Sequence, residues 1–186
     1  DIRWRTTISG HRPHILKKMA QSPGIQMGFS DAGAHLRNMS FYNFGLRLLK
    51  HVQDAEKAGT PFISTERAVH RLTGELAEWY GLDAGHLRVG DRADLFLVDP
   101  AHLDDTLTEY AEAPVEQYDG LSRMVNRNDA TVPLVMVAGR TVWRDGAGTE
   151  ILGVERTGQF LRTDLPGPAV RPTTSGRAEQ PVATAP

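Results

Sequence analysis

The sequence contains no cysteine, which excludes a disulfide framework, a thiolate metal site and a cysteine nucleophile and accords with a reducing compartment. It also lacks any run approaching the roughly 18–20 apolar residues of a membrane span, and no basic-then-apolar segment opens it, so a cytoplasmic location is the expectation. A strong charge of either sign is missing as well. The formal net charge is −2 with both signs interspersed, which leaves no electrostatic footprint for nucleic acid or an anionic membrane. Small molecules or other protein segments are the expected partners. No internal repeat is visible. What remains is a 186-residue chain, 40% hydrophobic and 24% charged, with the composition of a globular protein and room for one domain or parts of two. It opens on Asp1 in a strand-like segment, and is expected to be a processed product or a piece of a longer polypeptide.

Periodicity divides the chain in two. Arg3 to Ser9 mixes aromatic and β-branched residues as a short strand does, and Gly10 ends it. Pro13 to Ala20 has Ile15, Leu16 and Met19 at helical spacing, with Pro13 suited to a first turn and Ser22-Pro23-Gly24 as a breaker. Ile25 to Phe29 follows as a second strand. Strand, helix, strand with short connections is the repeat of a parallel α/β fold, whose strands are buried on both faces and do not alternate cleanly. Phe41 to Ala58 is an amphipathic helix closed by Gly59, with Phe44, Leu48, Leu49 and Val52 inside. Ser64 or Thr65 caps another, ended by Gly81, which is expected to bury Val69, Leu72, Leu76 and Trp79 and to turn Glu66, Arg67, Arg71, Glu75 and Glu78 mostly outward. Beyond it the pattern becomes β. Ala93 to Val98 is strand-like, and Leu134 to Val137 and Thr141 to Arg144 flank Ala138-Gly139-Arg140 as a hairpin. Ala101 to Asp129 between them reads as a long polar excursion with at most one short helix, and loops of that length are uncommon unless they cover something. From Pro166 on, Pro, Ala, Thr and Ser dominate and disorder is expected.

The most informative stretch is Ser30-Asp31-Ala32-Gly33-Ala34-His35, directly after Ile25 to Phe29. Catalytic groups of parallel α/β folds sit at the carboxyl ends of strands, where loops vary on a fixed scaffold. A carboxylate there can ligate a cation and can also move a proton from an attacking water to a leaving amine. The competing reading makes Asp31 a turn cap that accepts hydrogen bonds from amides near Gly33.

The residues downstream of Asp31, taken in their order, bear on that choice. Thr73, Ala77, Tyr80-Gly81-Leu82, Gly85, Leu87, Gly90 and Ala93-Asp94-Leu95, then Val135, Val137, Gly139-Arg140, Val142 and Gly146, together resemble the closing segment of the amidohydrolase superfamily over roughly residues 1 to 165. Gly28 to Leu36 and Tyr42-Asn43-Phe44 look most like its D-aminoacylase, or N-acyl-D-amino-acid deacylase, branch. The resemblance implies the last strands and helices of a TIM-like (β/α)8 barrel, residues 1–82, followed by part of a small β-sandwich domain, residues 83–165, and a tail, 166–186. It implies zinc-dependent hydrolysis of a non-peptide amide bond, with one or two zinc ions and Asp31 as metal-site residue and proton shuttle. Many relatives in that branch carry Ser-Asp-Gly followed by Pro and a histidine-containing loop; Ala32 and Ala34 depart from this, which puts the substrate in question. The family's remaining ligands, a His-x-His pair, a bridging residue and two later histidines, are not recognisable here. His11-Arg12-Pro13-His14 has the wrong spacing for such a pair. The chain is therefore expected to be the C-terminal portion of the enzyme, inactive alone and either self-associating or requiring the missing N-terminal barrel half.

Three further residues are candidate substrate contacts, each with an ordinary alternative. His11 follows the first strand at the same barrel mouth, or is a surface-loop histidine. His35 lies four residues past Asp31, or faces solvent at a helix start. Arg37 suits bidentate pairing with a substrate carboxylate; Arg47 has the same chemistry but reads as a solvated helix residue. His51, His70, His86 and His102 read as structural or exposed, Asp91 to Asp94 as a turn into a strand, and Asn126 to Asp129 as either a polar network closing the excursion or a solvated turn. A different class of function also fits: a non-catalytic α/β plus β module that binds a ligand or subunit through Ala101 to Asp129.

Overall fold

A computed structural model describes residues 12–28, 43–109, 111–115, 119–125 and 128–163. The expected strand at Arg3 to Ser9 and the tail from Pro166 lie outside these residues. The first described element, α1 (Pro13–Gln21), has proline in its first turn and stops at Ser22, as the Ser-Pro-Gly breaker predicts. Residues 25–28 follow without strand pairing, so the expected strand from Ile25 is not formed over its described part. A strand needs a neighbour to accept its ladder, and no strand among the described residues lies beside it.

The longest helix, α2 (Phe44–Lys57), is the spine between two cores. Leu48 and Val52 pack with Ala20 of α1, Ala68, Phe62 and Ile63. Leu46 points the other way, into a cluster with Leu103 and Leu107, and Leu49 touches both. The polar side of α2 repeats the second attachment. Lys50 binds Asp54 at 2.6 Å and Asp105 at 3.0 Å, and Gln53 donates to the carbonyl of Pro100 at 2.9 Å.

The helix expected after Ser64 is real, and the Ser64 side chain accepts from the amide of Arg67 at 3.1 Å. It is interrupted, however, into α3 (Thr65–Leu72) and α4 (Gly74–Tyr80) at Thr73, whose φ of −130° and ψ of −91° are not helical. Val69 and Trp79, expected inside, are 44% and 49% exposed, and Arg71, expected outside, is 0% exposed; within α3 the inward face carries Ala68 and Arg71. The chain approaches the break closely. A side chain at Gly85 would come within 2.8 Å of the backbone of Thr73 and Gly74, so only glycine lets the chain after α4 lie against the junction.

The β region is antiparallel throughout the described residues. β1 (Leu95–Leu97), β4 (Leu134–Val137), β5 (Arg140–Arg144) and β6 (Ala147–Gly148) form one sheet in the order β1-β4-β5-β6. The predicted hairpin joins β4 to β5 through Ala138 and Gly139, both at positive φ, 49° and 77°, the backbone of a two-residue hairpin turn. Asp94 accepts from the Ala138 amide at 2.7 Å, and the Gly139 amide donates to Ala93 at 2.9 Å, which ties that turn to the entry of β1. The excursion holds more order than its polarity suggests. Two 3-10 turns, Pro100–His102 and Asp105–Thr108, carry Leu103 and Leu107 into the second core. β2 (Glu112–Val115) and β3 (Leu121–Met124) then pair in a hairpin of their own, which the sequence reading missed for want of alternating apolar residues. The chain is thus mixed α/β with a few short helices and small antiparallel sheets. No helix among the described residues is long and apolar enough to cross a membrane.

Candidate functional site

Asp31, His35, Arg37 and His11 all lie outside the described residues. What the structure describes is the frame that leads into and out of residues 29–42. The two flanks meet: a Cβ on Gly28 would stand 3.0 Å from a methyl of Leu76 in α4 and 3.8 Å from the ring tip of Phe44 at the start of α2. The chain therefore leaves for Asp31 and returns at α2 within one neighbourhood, backed by α4.

The upstream flank is held by Arg71. Its guanidinium donates to the carbonyl of Met19 at 3.0 Å and to those of Ala20 and Ile25, and its Nε donates to Glu75 at 3.0 Å. Met19 and Ala20 belong to the last turn of α1, where a cation is favoured by the helix dipole; the Met19 carbonyl also accepts from the Ser22 amide at 3.2 Å. Ile25 lies across the Ser22-Pro23-Gly24 turn. Glu75 is 15% exposed and is shared with Arg67 at 2.5 Å, so the buried cation has a partly buried counter-charge.

The downstream flank is held by Asn43, which is 5% exposed. Its amide donates to the carbonyl of Leu107 at 2.7 Å and to Oδ1 of Asn128 at 3.4 Å, tying the residue before α2 to the excursion and to the turn before β4. The Asn128 contact is a described piece of the polar network considered for Asn126 to Asp129. Asn43 Oδ1 is buried with no hydrogen-bond partner among the described residues, and so is Gln26 Oε1 on the upstream flank. Each flank thus presents a buried amide oxygen that a donor group would satisfy.

The charged groups of the described residues do other work. His70 contacts Arg67 at 3.0 Å and His102 contacts Asp99 at 3.0 Å, as structural or exposed histidines do. The Ala101 amide, and then His102, hold the Asp99 carboxyl below its ordinary range. Asp91 accepts from the Arg88 amide at 2.8 Å, as expected of a turn into a strand, and Arg47 is half-buried on α2. No group of three or more His, Asp or Glu among the described residues could hold a metal ion. The frame can position a segment, and it carries no acid–base or metal centre of its own. Sequence reasoning missed Arg71, Asn43 and Gln26. The signal for Arg71 was its i,i+4 spacing to Glu75, a pair that faces one way on a helix; Asn43 stood within Tyr42-Asn43-Phe44 without a role assigned to it, and no signal marked Gln26.

Comparison with known proteins gives two levels of similarity. The chain is 54% identical over 179 residues to uncharacterized proteins of Mycobacterium tuberculosis and Mycobacterium bovis, a match covering 91% of this chain and 29% of each relative. It is 41% identical over 109 residues to a protein named N-acyl-D-aspartate deacylase from Alcaligenes xylosoxydans xylosoxydans, covering 58% of this chain and 18% of that protein. The chain thus spans under a third of the length of these relatives. No family model and no solved structure matches it.

Proposed function

We propose that the chain is the C-terminal portion of an amidohydrolase that removes the acyl group from an N-acyl-D-amino acid, with Asp31 as its catalytic carboxylate. The observation that carries this reading is the similarity to a protein named N-acyl-D-aspartate deacylase. The converging flanks around residues 29–42 support it, because they give the Asp31 segment a fixed entry and exit.

In this reading residues 1–82 belong to the barrel and 83–165 to the small β domain. Asp31 takes a proton from the attacking water and returns it to the departing nitrogen as the carbon–nitrogen bond breaks and a carbon–oxygen bond forms. Arg37 pairs with the substrate carboxylate, and His35 and His11 contact the substrate. A zinc ion, when bound, supplies polarisation of the amide carbonyl. No ligand set for it lies among the described residues, and in this reading its other ligands belong to the rest of the longer protein. That part is the proposed partner of the exposed apolar side chains, among them Trp79, Tyr80, Phe96 and Leu97.

The test is the complete protein with Asp31→Asn, assayed on N-acyl-D-aspartate and neutral N-acyl-D-amino acids. Loss of a general acid–base carboxylate is expected to lower kcat by about 10²–10⁴-fold with the fold intact, and to reduce the zinc content measured by metal analysis. Near wild-type turnover at full metal occupancy would sink the assignment. A second reading, a ligand-binding module, is favoured by one feature: an open hollow of about 440 Å³ on the sheet between Asn128, Asp129 and Trp143. Unchanged turnover in Asp31→Asn together with substrate or ligand binding lost in Trp143→Ala would favour that module.

A further inference from the structure

We propose that the hollow on the sheet is a binding site for a small organic cation, an ammonium or guanidinium group carried on an apolar body. Its floor is built by register. Val135, Trp143 and Gly148 stand directly opposite one another across β4, β5 and β6, so their side-chain positions share one face of the sheet. Gly148 leaves its position on that face open, and Leu152 covers it: a Cβ on Gly148 would stand 2.7 Å from a Leu152 methyl. The half-buried Trp143 indole thus lies in a row between two aliphatic side chains and lines a space of about 440 Å³. Small-molecule sites have this size and this character, mostly apolar with a few placed polar groups.

The polar lining carries charge of one sign. It consists of Asn128 and Asp129, and no basic residue among the described ones joins them. Their turn is held in place, since the Asn128 carbonyl accepts from the Val132 amide at 2.8 Å and Asn128 Oδ1 accepts from Asn43 at 3.4 Å. Asp129 packs against the turn that follows β5, its Cβ 3.5 Å from where a Cβ of Gly146 would stand. It makes no ion pair among the described residues, and Arg144, next after Trp143 along β5, alternates to the other face of the sheet. A carboxylate without a counter-charge and an indole therefore line one hollow. Both attract a cation, the first through charge-assisted hydrogen bonds and the second through its ring quadrupole. An anion is repelled there, and a neutral molecule gains only the apolar floor.

The experiment titrates the complete protein by calorimetry with three probes of similar size and different charge: phenethylammonium, phenethyl alcohol and phenylacetate. Phenethylammonium is expected to bind about tenfold more tightly than phenethyl alcohol, and phenylacetate more weakly than either. Asp129 is exposed, so Asp129→Asn leaves the fold intact; it is expected to abolish the preference for the cation while the affinity for phenethyl alcohol stays within about twofold. Trp143→Leu is expected to weaken phenethylammonium by about tenfold, and Asp129→Asn decides the matter if that variant does not fold. Equal affinity for the cationic and neutral probes overturns the proposal, as does a preference that survives Asp129→Asn. Absence of binding by all three probes overturns it too. None of these readouts involves turnover, so the assignment of Asp31 stands or falls separately.

Discussion

In the helical region a guanidinium with no exposed surface is bonded among backbone carbonyls, whereas the ionic contacts of the β region stand in water: Arg140 and Glu155, 2.5 Å apart, are each 45% exposed. The apolar residues divide the same way. Ala20, Leu48, Val52 and Ala68 form a closed core between α1, α2 and α3, although Trp79 and Tyr80 of α4 are about half exposed; Leu87, Val89, Phe96, Leu97, Val154 and Phe160 around the sheet are all more than half exposed, and of the sheet's own residues Val142 is buried. Exposed ion pairs contribute little to stability, and exposed apolar area contributes only once something covers it. Packing therefore specifies the α1–α3 core, and the β region rests more on its turns and on its attachment to α2.

The comparison breaks most readily on packing. Leu48 is 3% exposed and Leu97 is 52% exposed, although both are leucines in regular elements. Leu48→Ala is expected to destabilise the chain by about 2–5 kcal/mol, through lost burial and the cavity left behind. Leu97→Ala is expected to cost about 0.5 kcal/mol or less, as surface substitutions do. Urea unfolding of the two variants at equal protein concentration checks the pair. Equal shifts of midpoint would mean that β1 is as well packed as α2 and would remove the contrast.

A middle-sized effect is expected at the seam. Asn43 joins α2 to Leu107 of the excursion and to Asn128 beside the sheet. Asn43→Ala leaves a buried carbonyl without its donor, at a cost of about 1–3 kcal/mol. Because the residue touches both regions, amide hydrogen exchange should quicken at the start of α2 and also around residues 104–109 and 128–132. Faster exchange confined to α2 would show that the two regions are joined only through the Leu46, Leu103 and Leu107 cluster.

How much of this was legible in the sequence obeys the same division. Helices α1, α2 and α3 announce themselves through Pro13, the spacing of Leu48 and Val52, and the Ser64 cap, all of which are local signals. The β4–β5 hairpin is equally local, since Ala138-Gly139 sits between two runs of strand-forming residues. Arg71 was misplaced because periodicity reports only which face a residue shares, and a charged residue on that face is assigned outward by default. Its partners, Met19, Ala20 and Ile25, are some fifty residues away in the chain. The same distance hid Asn43, whose partners lie in the excursion. The hairpin β2–β3 was unreadable for a different reason: each strand is four residues long, Pro114 interrupts one and Ser122-Arg123 the other, too short and broken a pattern to give a period-two signal. Asp31, His35, Arg37 and His11 rest on sequence alone, because they lie outside the described residues.

The smallest expected effect concerns the solvent-facing contacts that tie the β region together. Asp94 accepts from the Ala138 amide at 2.7 Å and pairs with Arg92. The Ala138 amide first, and then Arg92, hold its carboxyl below the ordinary value of 3.8. A carboxylate whose pKa is lowered by folding adds stability that is fully present above its unfolded value and is lost as pH falls through the folded one. Asp94→Asn keeps an oxygen for the Ala138 amide and removes only the charge, so wild type minus variant isolates the ionised form. With 39% of the side chain exposed, solvent screening limits that difference to about 0.5 kcal/mol or less near pH 7. It should shrink below about pH 4 and vanish once Asp94 is protonated in the folded chain. Urea midpoints of the two proteins at pH 7, 5, 4 and 3 measure it. A difference that stays constant, or widens toward pH 3, would show that the Asp94 charge does not hold the turn. A difference well above 1 kcal/mol at pH 7 would mean that water-facing contacts specify the β region as firmly as Arg71 specifies the helical one.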